Sequence, residues 1–410
     1  MASVISIGNE LLSGRTVDTN AAYLCAELLS YGIPVESIYL VGDEIDAIVQ
    51  KLRLACTDAD FVITTGGLGP TDDDITRHAF AKFLDCELQL QQDLLDQVQE
   101  FFTRRNRQMP ERNKIQACIP AAAKAVINEL GTAPGIMAES NGKLLFALPG
   151  VPIEMKQMFL KTALPEIRRL TGGQAVAVRK LNCFGGGESD IAEMLGDLMQ
   201  RGRNPLINCT VHFGSITLHI IAAAADKEKA AEMAEKDEKL LRGKLGELVF
   251  GEGEQTLAEV VGERLKKQKK TLAAAESCTG GLLAKLITDI PGASKYFTHG
   301  WTTYSNEAKI NELGVPSGLI DKYGAVSEQV AEAMAVCARK KAGTDYAIGI
   351  TGIAGPDGGT DQKPVGLVYI SLDREQGCET KRYFFSNDRQ FIRLRTAQTA
   401  LNILRLSLKI

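Results

Sequence analysis

Residues 61–74 read Phe61-Val62-Ile63-Thr64-Thr65-Gly66-Gly67-Leu68-Gly69-Pro70-Thr71-Asp72-Asp73-Asp74. A short β-branched apolar run breaks straight into glycines and then into three adjacent carboxylates. A run of that length, bounded by turn residues, predicts a buried strand over 61–65. Working upstream, apolar runs at 4–8 and 35–41 alternate with helical patterns at 20–31 and 45–57. The order β-α-β-α-β predicts a parallel sheet with crossover helices, whose ligands belong at the C-terminal ends of the strands. Downstream, an amphipathic helix is expected over 88–105, and a strand over 143–148 that ends in the turn Pro149-Gly150-Val151-Pro152.

The chain of 410 residues, 45% of them apolar, exceeds what one hydrophobic core organises, which predicts two large domains and a small third. With 51 acidic and 47 basic residues the net charge is −4, which argues against a broad nucleic-acid footprint. Nine cysteines without a CxxC pair fit a reducing compartment. No basic segment precedes the first apolar stretch and no run reaches membrane-spanning length, so a cytoplasmic protein is expected.

A break at Thr171-Gly172-Gly173 opens a second segment, with a strand expected over 176–184, a helix over 189–200, two strands within 206–222 around Gly214, and a charged helix over 226–242. This is a small α+β module. Beyond the linker Gly251-Glu252-Gly253-Glu254, a helix ends in Lys266-Lys267-Gln268-Lys269-Lys270, a run suited to a solvated helix C-terminus. Strands at 271–275, 346–351, 366–372 and 381–385, with helices at 281–289, 327–342 and 389–407, make a second α/β domain. The fold class is therefore α/β, with domains over 1–170, 171–252 and 253–410.

In the first domain, Gly66, Gly67 and Gly69 let backbone N–H groups approach a phosphate. Three carboxylates beside phosphate call for a divalent cation, so Asp72, Asp73 and Asp74 are candidate metal ligands, hard oxygens for a hard ion. The alternative is that one Asp caps the following helix. By the same strand-end logic Gly8-Asn9-Glu10, Asp18-Thr19-Asn20 and Asn128 with Gly131-Thr132-Ala133-Pro134-Gly135 form either ordinary capped turns or parts of a site. Glu154 is equally a ligand or a helix-start carboxylate.

In the last domain the strand ending at Ala275 runs into Glu276-Ser277-Cys278-Thr279-Gly280-Gly281. Ser277, at a positive helix end where N–H groups hold an oxyanion, is a candidate nucleophile; a plain N-cap is the alternative. Cys278 competes on intrinsic reactivity. Of the four histidines (78, 212, 219 and 299) only His299 lies in this domain, so a Ser-His-Asp triad is poorly supported. Tyr304-Ser305-Asn306-Glu307-Ala308-Lys309 offers a lysine or tyrosinate base instead, provided that burial depresses the lysine pKa. The loop from Thr351 and Gly352 to Gly359, with Lys363 after it, is either a phosphate or ribose site or a bare glycine-rich hairpin.

These motifs, together with Leu148-Pro149-Gly150-Val151-Pro152-Ile153-Glu154 and Gly324-Ala325-Val326-Ser327, resemble the full-length CinA family across essentially the whole chain. The resemblance implies a molybdopterin-binding-like N-terminal domain acting as a metal-dependent ADP-ribose pyrophosphatase and a KH-like middle module. It also implies a C-terminal deamidase that converts nicotinamide mononucleotide to nicotinate mononucleotide and ammonia without a cofactor. It implies Ser277 as nucleophile, Tyr304 and Lys309 as activating pair, and Thr279, Gly280, Gly281, Thr351 and Gly352 as the substrate pocket. Arg393 is the implied phosphate partner, with Arg389 and Arg395 close by in sequence; Asn20 joins Gly66, Gly67 and Gly69 in the N-terminal substrate site, and Asp72, Asp73, Asp74 and Glu154 take the divalent metal ion. His299 stands where many relatives carry glycine. The middle segment has Gly185-Gly186-Gly187-Glu188 and no GxxG clamp, so nucleic acid is not an expected partner. Small nucleotides are, and so is a homodimer; a membrane is not.

Overall fold

The glycine loop follows the third strand of a six-stranded sheet in the computed structural model, which describes residues 1–171, 175–212 and 214–408; the glycines at 172–173 lie outside them. The strands of the first domain are β1 (Ala2–Ile7), β2 (Val35–Val41), β3 (Phe61–Thr65), β4 (Leu88–Leu90), β5 (Cys118–Pro120), β6 (Ala123–Val126), β7 (Gly135–Ser140) and β8 (Lys143–Leu148). The main sheet runs β2-β1-β3-β8-β7-β6, with the first four strands parallel and the last two antiparallel.

Every residue of β1 and β3 is buried, as expected where both faces of a parallel sheet are covered. Strand alternation then sends Ile5 and Ile7 to one core with Ile48 and Leu52 of the helix Ile45–Asp58, while Ala2 and Val4 join Leu24, Leu28 and Phe159 on the other face. Each such Leu or Ile contributes about 1.5–3 kcal/mol through burial.

The helix expected over 88–105 is shorter. Leu88–Leu90 pairs antiparallel with Cys118–Pro120, and the helix is Gln92–Thr103. The hairpin of β6 and β7 is an addition to the expected elements.

The middle module holds β9 (Ala175–Phe184), β10 (Leu206–His212), β11 (Ser215–Ala224) and β12 (Val249–Glu252), in the order β10-β11-β9-β12, with helices Glu188–Leu195 and Lys227–Leu245. The last domain adds β13 (Leu272–Glu276), β14 (Phe297–Thr302), β15 (Tyr346–Gly352), β16 (Leu367–Arg374) and β17 (Gly377–Phe384), ordered β14-β13-β15-β16-β17. β13, β14 and β15 are parallel; β16 and β17 run antiparallel. Small side chains on β13 split between two cores, Leu272 and Ala274 on one face and Ala273 and Ala275 on the other. On β15, a Cβ at Gly349 would lie 2.4 Å from the Ala331 carbonyl oxygen, so glycine is what lets the helix Glu328–Ala342 settle on the sheet.

The chain is thus of α/β class with a small α+β module. By compactness it forms two units, Met1–Val178 with Ile221–Met233, and Arg179–Ile220 with Ala234–Ile410. Among the described residues no helix is long and apolar enough to cross a membrane.

Candidate functional site

At the C-terminal ends of β13, β14 and β15 three loops meet. The Ser277 N–H donates to the Ile350 carbonyl and the Thr303 N–H to the Glu276 carbonyl, which extends the ladder one residue past each strand and fixes the loop starts. Ser277 is 8% exposed and Lys309 1%. Lys309 Nζ lies 3.1 Å from Ser277 Oγ and also reaches the carbonyls of Thr303 (2.9 Å), Tyr304 (3.3 Å) and Ser305 (3.4 Å). It opens a π-helical stretch, Lys309–Leu313, a wound-out turn of the kind frequent at functional sites. Burial holds the Lys309 ammonium below the ordinary lysine pKa, against the opposing influence of Cys278 and Glu307. The burial that a lysine base requires is therefore present.

Cys278 is buried, and desolvation pushes its thiol up to about 12, which removes it as a thiolate nucleophile near neutral pH. Tyr304 does not join the pair through its side chain. Its phenol is 57% exposed and accepts from Arg389 Nη2 at 2.8 Å, so only its carbonyl faces Lys309.

The three arginines of the helix Arg389–Ser407 separate by partner. Arg393 clamps the Thr279 carbonyl through Nε and Nη2; Arg389 joins the Gly355 carbonyl to Tyr304; Arg395 donates to the Gly214 carbonyl and lies over the Phe184 ring. Thr351 Oγ1 donates to the Ala325 carbonyl, and Lys363 Nζ to the Tyr323 carbonyl, so neither is a bare loop group. Gly352 ends β15 beside Thr351. His299 is on the sheet-edge strand β14, stacked on Trp301 with ring centroids 5.3 Å apart.

The helix Leu282–Thr288 begins after Gly280 and Gly281, and its first N–H groups are occupied. Glu276, 1% exposed, accepts from Leu283 N at 3.0 Å and Ala284 N at 2.8 Å. Leu282 N and Gly280 N bond to Thr279 O and Ser277 O. The expectation that the helix start holds an oxyanion is corrected accordingly: the donors left for one are in the turn itself, where the Cys278 and Thr279 N–H groups also lie against the Cys278 sulfur. Thr279 and Thr303, both within 1% of complete burial, have hydroxyls without a partner here.

In the first domain, a cavity of about 640 Å³ lies beyond β1, β3 and β8. Its loop 66–74 is knit from within. Thr76 bonds to the carbonyls of Gly66 and Gly67, and Arg77, 2% exposed, to those of Leu68, Gly69 and Asp74. The Gly66 N–H is held by the Leu148 carbonyl, and with four consecutive carbonyls engaged inward the N–H groups of Gly67, Leu68 and Gly69 are the ones left toward the cavity. At Gly66, φ is +109° and a Cβ would stand 2.2 Å from the Ile7 carbonyl oxygen, so no other residue fits. Sequence reading missed Arg77; an arginine three residues past the carboxylates was its only trace.

Asp73, Asp74 and Glu154 line this cavity with Glu10, Asp18 and Asp43, whereas Asp72, exposed like Asp73, is outside the lining, a correction to its grouping with its neighbours. Asp74 accepts from Thr71 N and Oγ1, and the helix Thr76–Phe83 has no side-chain cap, so the capping alternative is not what is found. Glu154 accepts from Asn128 Nδ2, and Asp18 caps the helix Thr19–Ser30 at Ala21 N. Asn20 donates to Thr65 Oγ1 and the Gly150 carbonyl, tying the strand ends together. Burial, with the charges of Glu10, Asp73 and Asp74 adding to it, lifts the Asp43 pKa.

Six carboxylates and no lysine, arginine or histidine line the cavity. The donor set fits a hard divalent ion. Among the described residues no three acidic, His or Cys side chains converge to enclose one unaided.

Family models match in three blocks: a probable molybdopterin binding domain over residues 3–169, the damage-inducible protein CinA KH domain over 178–251, and the CinA C-terminal domain over 254–408. A CinA-like protein from Dictyoglomus thermophilum is 42% identical over 98% of both chains, and one from Kosmotoga olearia 42% identical over 99% of this chain and 98% of its own. Among solved structures, the protein CinA from Thermoplasma acidophilum is 37% identical with a TM-score of 0.37, covering 40% of this chain and 96% of that one.

Proposed function

The chain belongs to the CinA family, and on that premise we propose that its last domain is an amidohydrolase that opens the carboxamide of nicotinamide mononucleotide. The observation that carries this reading is the buried Lys309 Nζ at 3.1 Å from Ser277 Oγ, with its pKa lowered by burial. As a neutral amine, Lys309 accepts the Ser277 proton while Oγ attacks the carboxamide carbon. N–H groups of the turn 277–281 hold the oxyanion. The Lys309 ammonium returns the proton to the departing nitrogen, ammonia leaves, and an ester to Ser277 remains. Water, deprotonated by the same lysine, then cleaves the ester to the carboxylate and restores Ser277. Arg393, beside Gly280, is the proposed phosphate partner and keeps the turn in shape through the Thr279 carbonyl.

The first domain is proposed as a second site, an ADP-ribose pyrophosphatase. What favours it is the carboxylate cavity, which repels a pyrophosphate unless cations intervene. A divalent ion, with Asp73 and Asp74 as its protein ligands, supplies charge neutralisation when bound. The chain's own contribution is the N–H groups of Gly67, Leu68 and Gly69, in a loop whose shape is set by Thr76 and Arg77.

Ammonia release from nicotinamide mononucleotide, measured for wild type and Ser277→Ala with and without chelator, tests the main reading. Chelator-resistant release lost in the variant supports it; no release from the wild type sinks it.

A further inference from the structure

A cavity of about 520 Å³ inside the second compact unit shares no lining residue with the Ser277–Lys309 site. One wall is the polar face of the small module. Strand β11 alternates, sending Ile216, Leu218 and Ile220 into the module's interior and Ser215, Thr217 and His219 to the cavity, joined by Lys180 and Asn182 of β9 and Thr210 of β10. The opposite wall is mostly apolar, with Leu257, Leu286 and Leu401 from three helices of the last domain, Ile290 just past one of them and Phe250 beside them, and it also carries Thr256, Asp289 and Gln398, whose buried Oε1 has no partner here. A hydroxyl-rich sheet face thus confronts a mostly apolar wall with one unpartnered amide oxygen, at Gln398, and neither fills the space between.

The polar wall is ordered. Thr210 Oγ1 and His219 Nε2 are 3.0 Å apart, Thr217 donates to Asn182 Oδ1, and Asn182 Nδ2 holds the carbonyls of Gly253 and Gln255 at the cavity's edge. Charges around the lining are already matched: Lys180 pairs with Glu254, and Asp289 with Lys285. Burial, with Lys180 adding to it, keeps His219 below its usual pKa and so neutral. The volume suits a small ligand. It needs one apolar face and one face of hydroxyls, and among the described residues the cavity's lining offers a phosphate no cation that is not already paired.

From this we infer a second ligand site, between the β9-β10-β11 face and the helices of the last domain, for an uncharged nucleoside: the base against Leu286, Ile290 and Phe250, the sugar hydroxyls toward Thr210, Thr217 and His219. The site is independent of the proposed reactions.

Titration calorimetry of the full-length protein with adenosine, AMP and D-ribose tests it. Adenosine is expected to bind one per chain, with AMP and ribose each at least about tenfold weaker. Thr210→Trp, at an exposed position on the cavity wall, should weaken adenosine at least about tenfold, and Ser215→Tyr should do the same from the opposite end of the polar strand. Hydrogen exchange of the wild type should show adenosine protection within 206–220 and 282–290. Three results overturn the assignment: no adenosine binding up to about 1 mM, AMP binding as tightly as adenosine, or protection confined to residues 1–171.

Discussion

At the scale of single residues, Lys309 and Cys278 show how burial sorts nucleophilic chemistry. Desolvation disfavours the charged form of each, which lowers the lysine pKa and raises that of the thiol. The same burial therefore favours the neutral amine of one and the neutral thiol of the other. On the proposed mechanism, in which Lys309 acts as the neutral amine, kcat/KM for deamidation should rise with pH, with a midpoint below the ordinary lysine value of 10.5. Lys309→Arg, which cannot shed its proton, should lose about 10²–10⁴ of the rate and the rising limb with it; a pH-rate profile of both proteins reads this directly. Stability follows the same sign. In the window between the lowered folded pKa and 10.5 the unfolded chain binds more protons, so this residue's contribution improves as pH rises. For Cys278 the expectation is inertness: Cys278→Ala should keep its activity within about threefold, and iodoacetamide should not inactivate the native enzyme at pH 7. A thiol-dependent loss would restore Cys278 as a rival nucleophile. Ser277 and Lys309 were legible in the sequence as residue types at a strand end and in a neighbouring motif. Tyr304 was legible as a name and not as a role, because the phenol's choice of Arg389 depends on a helix 85 residues away.

At the scale of elements, the legible parts were those whose pattern is local. Strands 35–41, 61–65 and 143–148 and the terminal helix 389–407 carry their own periodicity and turn residues, and their bounds are the observed ones. What escaped reading depends on a distant partner. Leu88–Leu90 continues an amphipathic pattern, yet pairs with Cys118–Pro120. β14, Phe-Thr-His-Gly-Trp-Thr at a sheet edge, has little burial and no alternation to announce it. Glu276 is the clearest case. In the sequence it is the carboxylate before a serine; in the fold it ends β13 and caps the helix Leu282–Thr288, so it sets the turn that carries Ser277. Glu276→Ala leaves two shielded N–H groups without an acceptor, and should cost about 1–3 kcal/mol in urea unfolding. It should also lower kcat more than it raises KM, because the misplaced atom is the nucleophile. Unchanged stability would mean that water replaces the carboxylate and that the helix does not depend on it.

At the scale of the whole molecule, the two proposed chemistries make opposite electrostatic demands. The C-terminal site works with a lysine, a serine and backbone N–H groups, and needs no added charge. The N-terminal cavity gathers Glu10, Asp18, Asp43, Asp73, Asp74 and Glu154 with no basic residue in its lining. A pyrophosphate brought there meets like charge on most sides, and at an effective dielectric of about 20 a single uncompensated pair at 4 Å costs about 4 kcal/mol. On that proposal cations are a condition of binding in the cavity as well as of turnover. The two activities should separate cleanly in one preparation. A chelator, or Asp73→Asn, should abolish ADP-ribose hydrolysis and leave ammonia release from nicotinamide mononucleotide unchanged, while Ser277→Ala should do the reverse. Equilibrium dialysis adds a readout that does not depend on turnover. ADP-ribose should bind at least about tenfold more tightly with magnesium than without, and this gain should shrink in Asp73→Asn. Equal binding with and without the ion would mean that the loop amides suffice for the phosphates and that the carboxylates serve something other than charge neutralisation.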